Sequence, residues 1–152
     1  MSIKIEVVNK SNLTVDCLFK LLSKLDSAYI PSISSLVDIE EYSNKLYTFA
    51  DLLILKNNGL EIGICALYAN NYENKIAYIS SIGILPEYQG YGFGSKLVNA
   101  AFELVSQKGF LYVDLEVYKE NIKAYKFYLK NGFELQIKNG KSLILRKSIA
   151  KL

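Results

Sequence analysis

Ile3 to Val8 alternates apolar and polar positions, which predicts a half-buried strand. From Thr14 the period lengthens: Val15, Leu18, Phe19, Leu22 and Leu25 recur at helical spacing. Pro31 and the serines around it break the pattern, and Leu36 to Leu46 reads as a second, acidic helix. Phe49 to Leu55 is strand-like. Asn58-Gly59 is a hairpin signal, with Leu60 to Tyr68 as the return strand. Asn70-Asn71 marks a turn, and Ile76 to Leu85 forms a further strand that Pro86 stops. A glycine-rich turn, Gln89 to Gly94, leads into a helix with Leu97, Val98, Ala101, Leu104 and Val105 on one face and Gly109 at its C-cap. Leu111 to Val117 is an apolar strand, and Asn121 to Asn131 a helix closed by Gly132. Phe133 to Ile137 and Ser142 to Leu145, joined at Asn139-Gly140, make a last hairpin. The predicted order is β-α-α-β-β-β-α-β-α-β-β, an α/β fold with a mixed sheet and helices packed on it.

Composition places this pattern in a single globular domain over residues 1–152, with 51% apolar and 22% charged residues. No apolar run approaches the ~20 residues that span a bilayer, and the start, Met1 to Glu6, lacks signal-peptide character. A cytoplasmic protein with no membrane partner is expected. The net charge of +3 is too small to argue for nucleic acid. There is no histidine, which excludes Cys–His and Ser–His hydrolase chemistry and argues against a metal site. Cys17 and Cys65 lie in apolar stretches and read as reduced core thiols. Between Asp26 and Asp51 stand five acids and one base, so this segment nets −4 and the rest +7. A solvated acidic face is the plain reading. With Tyr29, Tyr42 and Tyr47 the segment is also a candidate attractor for a cationic amine.

The turn carries the chemistry. A strand ends at Ile82-Gly83-Ile84, three glycines alternate at Gly90, Gly92 and Gly94, and a helix opens. Glycines allow a tight turn with outward N–H groups, and the free amides of a helix start complete an anion site suited to a diphosphate. The dinucleotide fingerprint is not met, because Ser95 and Leu97 stand where its third glycine belongs. The P-loop is not met either, since the order is Gly94-Ser95-Lys96. Further on, Asn121 and Tyr128 are seven apart, two turns along one helix face, with the small Ala124 between them. By themselves they also read as an N-cap and a packing tyrosine.

Gln89-x-x-Gly92-x-Gly94 after a strand ending Ile84-x-Pro86 resembles the GCN5-related N-acetyltransferases. So does Leu115-x-Val117 followed by Asn121-x-x-Ala124-x-x-x-Tyr128 and Gly132-Phe133. The resemblance covers residues 76–133 and implies acetyl-CoA as co-substrate, with no metal. It implies that the amides of Gly90, Tyr91, Gly92, Phe93, Gly94 and Ser95 hold the diphosphate, with Gln89 at the motif's first position. It implies that the backbone of Ile82, Gly83 and Ile84 pairs with the pantetheine arm, Ile84 N–H meeting the oxyanion. Asn121 is implied to contact the coenzyme, and Tyr128 to protonate the departing thiolate. The base stays open. Glu116 matches a glutamate of ribosomal-protein acetyltransferases, while Tyr78, Ser80 and Ser81 offer an alternative that orders a water. The expected acceptor is a primary amine of a small molecule or amino sugar, met by direct transfer in a ternary complex, and a homodimer is compatible with the family. Peptide N-terminal acetylation and a non-catalytic coenzyme-binding module are the alternatives.

Overall fold

The computed structural model describes residues 2–8 and 13–149, so Met1, which opens the N-terminal pattern, lies outside them. Seven strands form one sheet in the order β1-β2-β3-β4-β5-β7-β6. They are β1 (Ile3–Val8), β2 (Asp51–Asn57), β3 (Leu60–Tyr68), β4 (Ile76–Ile84), β5 (Tyr112–Tyr118), β6 (Glu134–Asn139) and β7 (Ser142–Ser148). Every neighbouring pair is antiparallel except β4 and β5, which run parallel. A parallel pair needs a crossover. Here it is helix α4 (Phe93–Gln107). The other helices are α1 (Val15–Leu25), α2 (Ile33–Leu36), α3 (Ile39–Phe49) and α5 (Ile122–Lys130).

The expected order stands, with the four-residue α2 added ahead of the acidic helix. That helix starts later than its apolar pattern suggests. The Asp38 side chain accepts from Glu41 N at 3.0 Å and so fixes the N-terminus of α3. The helix then continues to Phe49, and β2 begins at Asp51 rather than Phe49.

Burial follows the sheet. Leu52 to Leu55 and Ile62 to Leu67 are buried without alternation, the mark of strands covered on both faces. In α1 the buried positions are Leu18, Leu21, Leu22 and Leu25, a single stripe. Cys65 lies in the core, but Cys17 falls off that stripe and is exposed, so only one of the two thiols is a core residue.

Both glycine-closed helices end in the same way. Gly109 (φ +79°) donates to Ser106 O and Phe110 N to Val105 O, at 3.0 and 3.1 Å. Gly132 (φ +95°) donates to Leu129 O and Phe133 N to Tyr128 O, at 3.1 and 3.0 Å. This is the Schellman pattern, which needs a residue at positive φ.

Candidate active site

The parallel strands part early. β4 and β5 pair only at Ile76–Tyr112, Ala77–Val113 and Tyr78–Asp114. Arg146 of β7 holds the last rung, gripping Asp114 through two bonds of 2.7 and 3.0 Å. Past that rung the facing edges of β4 and β5 separate. The register of β3 and β4 also slips there, from Leu67–Ile79 to Ala66–Ser81, so Ser80 has no partner and β4 bends at a bulge. A cleft of about 930 Å³ opens between the strands, roofed by the glycine turn and α5.

The free edge of β4 has a definite polarity. Leu85 N donates to Ile62 O on the β3 side at 2.8 Å. Successive residues alternate, so Ile82 and Ile84 turn their backbone groups to the cleft and Gly83 turns its own to β3. The Ile84 carbonyl is met on the cleft side by Gln89 Nε2 at 3.0 Å. Gly83 matters for its missing side chain: a Cβ there would sit 2.5 Å from the Tyr29 hydroxyl. The Gln89 side chain therefore braces the turn, since its Oε1 also accepts from Lys123 Nζ at 3.3 Å.

Gly90 and Gly92 take φ +88° and +81°, with open space where a Cβ would project. Gly92 caps α4 without a side chain, and the helical bonds begin at Lys96 N to Gly92 O. The amides of Phe93, Gly94 and Ser95 are thus left without helical acceptors at the positive end of a fifteen-residue helix. Gly94 has ordinary φ, and its role is close approach: an added Cβ would lie 3.1 Å from the Phe127 ring. Of the turn residues, Tyr91 does not line the cleft. It is 61% exposed and stacks on Phe93, with centroids 5.6 Å apart.

Asn121, Ala124 and Tyr128 all line the cleft, as their helical spacing predicts. Asn121 is the N-cap of α5, accepting from Ala124 N at 3.2 Å, and its Nδ2 donates to Ile30 O at 3.4 Å. Its side chain thereby ties α5 to the loop ahead of α2. Tyr128 is wedged edge-on between Phe127 and Phe133, with centroids 5.4 and 5.6 Å away. Burial holds its hydroxyl well above the usual phenol range, so it stays protonated at neutral pH.

The opposite wall is built from β4, β5 and the N-terminal segment. Tyr29 OH pairs with Ser81 Oγ at 2.7 Å, and Tyr42 OH with Ser80 Oγ at 2.6 Å. The bulge lets two consecutive serines meet two tyrosines, and it engages two of the three candidates for ordering a water, Ser80 and Ser81, while Tyr78 lines the cleft beside them. Glu116 lies on this wall with an exposed carboxylate, which accepts from Ser142 Oγ. The acids of the 26–51 segment do not reach the cleft. Asp26 binds Ser34, Asp38 caps α3, Asp51 pairs with Lys108 at 2.9 Å, and Glu40 and Glu41 lie outside the lining. Tyr29 and Tyr42 line it and Tyr47 does not. An acidic attractor at the cleft is therefore not what the segment builds, because capping and ion pairing direct its carboxylates elsewhere.

The Acetyltransferase (GNAT) family model matches residues 19–133, well over half the chain. The chain belongs to the GNAT acetyltransferase family. It is 34% identical over 62 residues to the spermidine N(1)-acetyltransferase of Thermoplasma acidophilum, covering 41% of this chain and 38% of that one. It is 31% identical over 80 residues to N-alpha-acetyltransferase 50 of Danio rerio, covering 51% and 48%. The matches thus span less than half the length of these curated relatives. Its fold is that of the PaiA N-acetyltransferase of T. acidophilum, solved in complex with coenzyme A, with a TM-score of 0.76 over 97% of this chain and 99% of that one at 23% identity.

Within this GNAT domain, sequence reasoning missed Tyr118, Phe127 and the aliphatic residues Ile30, Ile33, Leu36 and Val37 of the wall. Only the topology brings the last four to the cleft, and no local motif marks them. Among the described residues, no helix is long and apolar enough to cross a membrane, and no cluster of potential metal ligands occurs.

Proposed function

We propose that this GNAT protein transfers an acetyl group from acetyl-CoA directly to a primary amine, both being bound at once in the β4–β5 cleft. One observation carries the reading. The unpaired edge of β4 at Ile82 and Ile84 shares one cleft with the bare amides of Phe93, Gly94 and Ser95 and with Tyr128. A pantetheine arm fits the edge as an added strand, and a diphosphate fits the turn formed by Gly90 through Ser95. The co-substrate supplies an activated acetyl group as its thioester.

The chain's residues then have distinct tasks. Glu116 takes the proton of the incoming ammonium, whose pKa lies near ~10, and Ser142 orients the carboxylate. The freed nitrogen lone pair attacks the thioester carbon. Ile84 N–H, on the cleft edge of β4, stabilises the oxygen as it gains charge. The C–N bond forms, the C–S bond breaks with its electron pair on sulfur, and the Tyr128 hydroxyl supplies the proton to sulfur. The ammonium gives up two protons, one to Glu116 before attack and one as the amide forms; the second returns to the Tyr128 phenolate and so balances the proton delivered to the thiol. Asn121 and Gln89 act by position, one fixing the start of α5 and the other the exit of β4.

Thiol release from acetyl-CoA in the presence of an amine panel tests the reading, with Glu116→Gln as the base variant. Amine-dependent release, reduced ~10²-fold or more in the variant, is expected. Tight acetyl-CoA binding without release from any amine would instead identify a non-catalytic coenzyme-binding module.

A further inference from the structure

The acceptor half of the cleft has a chemistry of its own. Ile30, Leu36 and Val37 line it while remaining 52%, 53% and 43% exposed, so three large aliphatic side chains face solvent on one wall. Ile33, buried beneath them, completes the wall. Apolar surface gathered in a concavity is where an apolar ligand gains most from leaving water. Glu116 is the one carboxylate among the lining residues, and Lys123 and Lys130 are the cations. One phenol, that of Tyr78, neighbours that carboxylate. Its pKa is raised by its own burial first and then by the neighbouring charges of Glu116 and Asp114. The remaining acids of the N-terminal segment are engaged or outside the lining, as described above.

From this we infer that the acceptor is a monocation, a primary amine carried beside an apolar group, whose nitrogen approaches Glu116 while the apolar group packs on Ile30, Leu36 and Val37. The inference rests on the transferase reading and narrows it. A polyamine would bring further ammonium groups to a cleft with one carboxylate and two lysines, leaving them unpaired. An amino sugar would bring hydroxyls to a wall of aliphatic carbon that offers no hydrogen bonds. The shared chemistry has two sources, a free small amine or the N-terminus of a peptide that begins with an apolar residue.

The test uses the full chain with acetyl-CoA and four acceptors: leucine amide, a short peptide starting with leucine, spermidine and glucosamine. Leucine amide or the peptide should exceed spermidine and glucosamine in kcat/KM by ~10-fold or more, the usual worth of a few buried methylenes. Which of the two leads identifies the source. Leu36→Ser and Val37→Ser alter exposed side chains, and each should raise the KM of the preferred acceptor several-fold while the KM of acetyl-CoA stays unchanged. Preference for spermidine or glucosamine, or an unchanged acceptor KM in both variants, overturns the inference and leaves the transferase reading intact. Absence of thiol release from all four removes the transferase reading itself, and the inference with it.

Discussion

The amide of Phe133 donates to the carbonyl of Tyr128 at 3.0 Å, and the Phe133 ring stands edge-on to the Tyr128 ring at 5.6 Å. One Schellman motif thus closes α5 and packs the residue after Gly132 against the tyrosine that faces the cleft. Phe133 is fully buried, so Phe133→Ala should cost ~3–5 kcal/mol by denaturant titration. Phe133→Leu should cost less than ~1.5 kcal/mol. Because it also removes the edge-on contact, it should lower kcat by up to ~10²-fold, the effect of a reacting group displaced by about an ångström. A Leu variant with normal kcat would show that Tyr128 needs no support from Phe133.

The glycines of the turn should fail for different reasons. Gly92 sits at φ +81° in open space, so Gly92→Ala meets backbone strain of ~1–2 kcal/mol and no clash. Gly94 has no such φ, and Gly94→Ala pushes a methyl to 3.1 Å from Phe127. Calorimetry with acetyl-CoA should show weakened binding in both. A second change, Phe127→Leu, should restore affinity to Gly94→Ala and leave Gly92→Ala unrepaired. Rescue of both, or of neither, would contradict this division.

The two glycine-closed helices, the hairpin at Asn58-Gly59 and the order of elements along the chain were legible because each is set by local chemistry. A helical period, a residue at positive φ and a turn dipeptide all act within a few residues. The glycine turn leading into α4 was legible for the same reason. The acidic segment was not. Asp26, Asp38 and Asp51 are consumed by Ser34, a helix cap and Lys108, partners that charge counting does not reveal. Cys17 looked buried because its neighbours are apolar, yet the stripe of α1 runs through Leu18, Leu21 and Leu22 and leaves it outside. The apolar wall depends on α2, a four-residue helix too short to announce itself in a periodic pattern.

Thiol chemistry should separate the two cysteines. Cys65 is fully buried, and desolvation alone pushes its pKa up to about 12, whereas Cys17 is exposed. One thiol should react with a disulfide reagent at pH 8 in the native protein, and two after denaturation. The pH dependence follows by sign. A thiol that ionises at about 8.5 when unfolded and at about 12 when folded stabilises the native state fully below the lower value. That contribution is lost as pH rises toward the higher one. Burial raises Tyr29 and Tyr128 as well, and they act in the same direction. The melting temperature should therefore hold level from pH 7 to about 8.5 and fall above it. Two reactive thiols in the native state would place Cys65 outside the core.

Tyr128→Phe tests the proton donor. The ring contacts with Phe127 and Phe133 involve carbon only, so they survive the change. The hydroxyl makes no hydrogen bond to the rest of the chain among the described residues, so its loss leaves no partner stranded there. Stability should shift by less than ~1 kcal/mol, and acetyl-CoA affinity should stay within a few-fold. Because burial keeps the phenol protonated, the wild-type hydroxyl is always in the donating form at neutral pH. It acts when negative charge develops on the departing sulfur and not before. An interaction made only in the transition state appears in kcat, so kcat should fall by ~10²–10⁴-fold, with kcat/KM falling in parallel. Replacing acetyl-CoA by a thioester with a more acidic leaving thiol should narrow the gap between variant and wild type, since such a thiolate needs less help. A purely packing tyrosine would show neither the fall in kcat nor the dependence on leaving group, and a variant with near-normal kcat on both thioesters would remove Tyr128 from the chemistry.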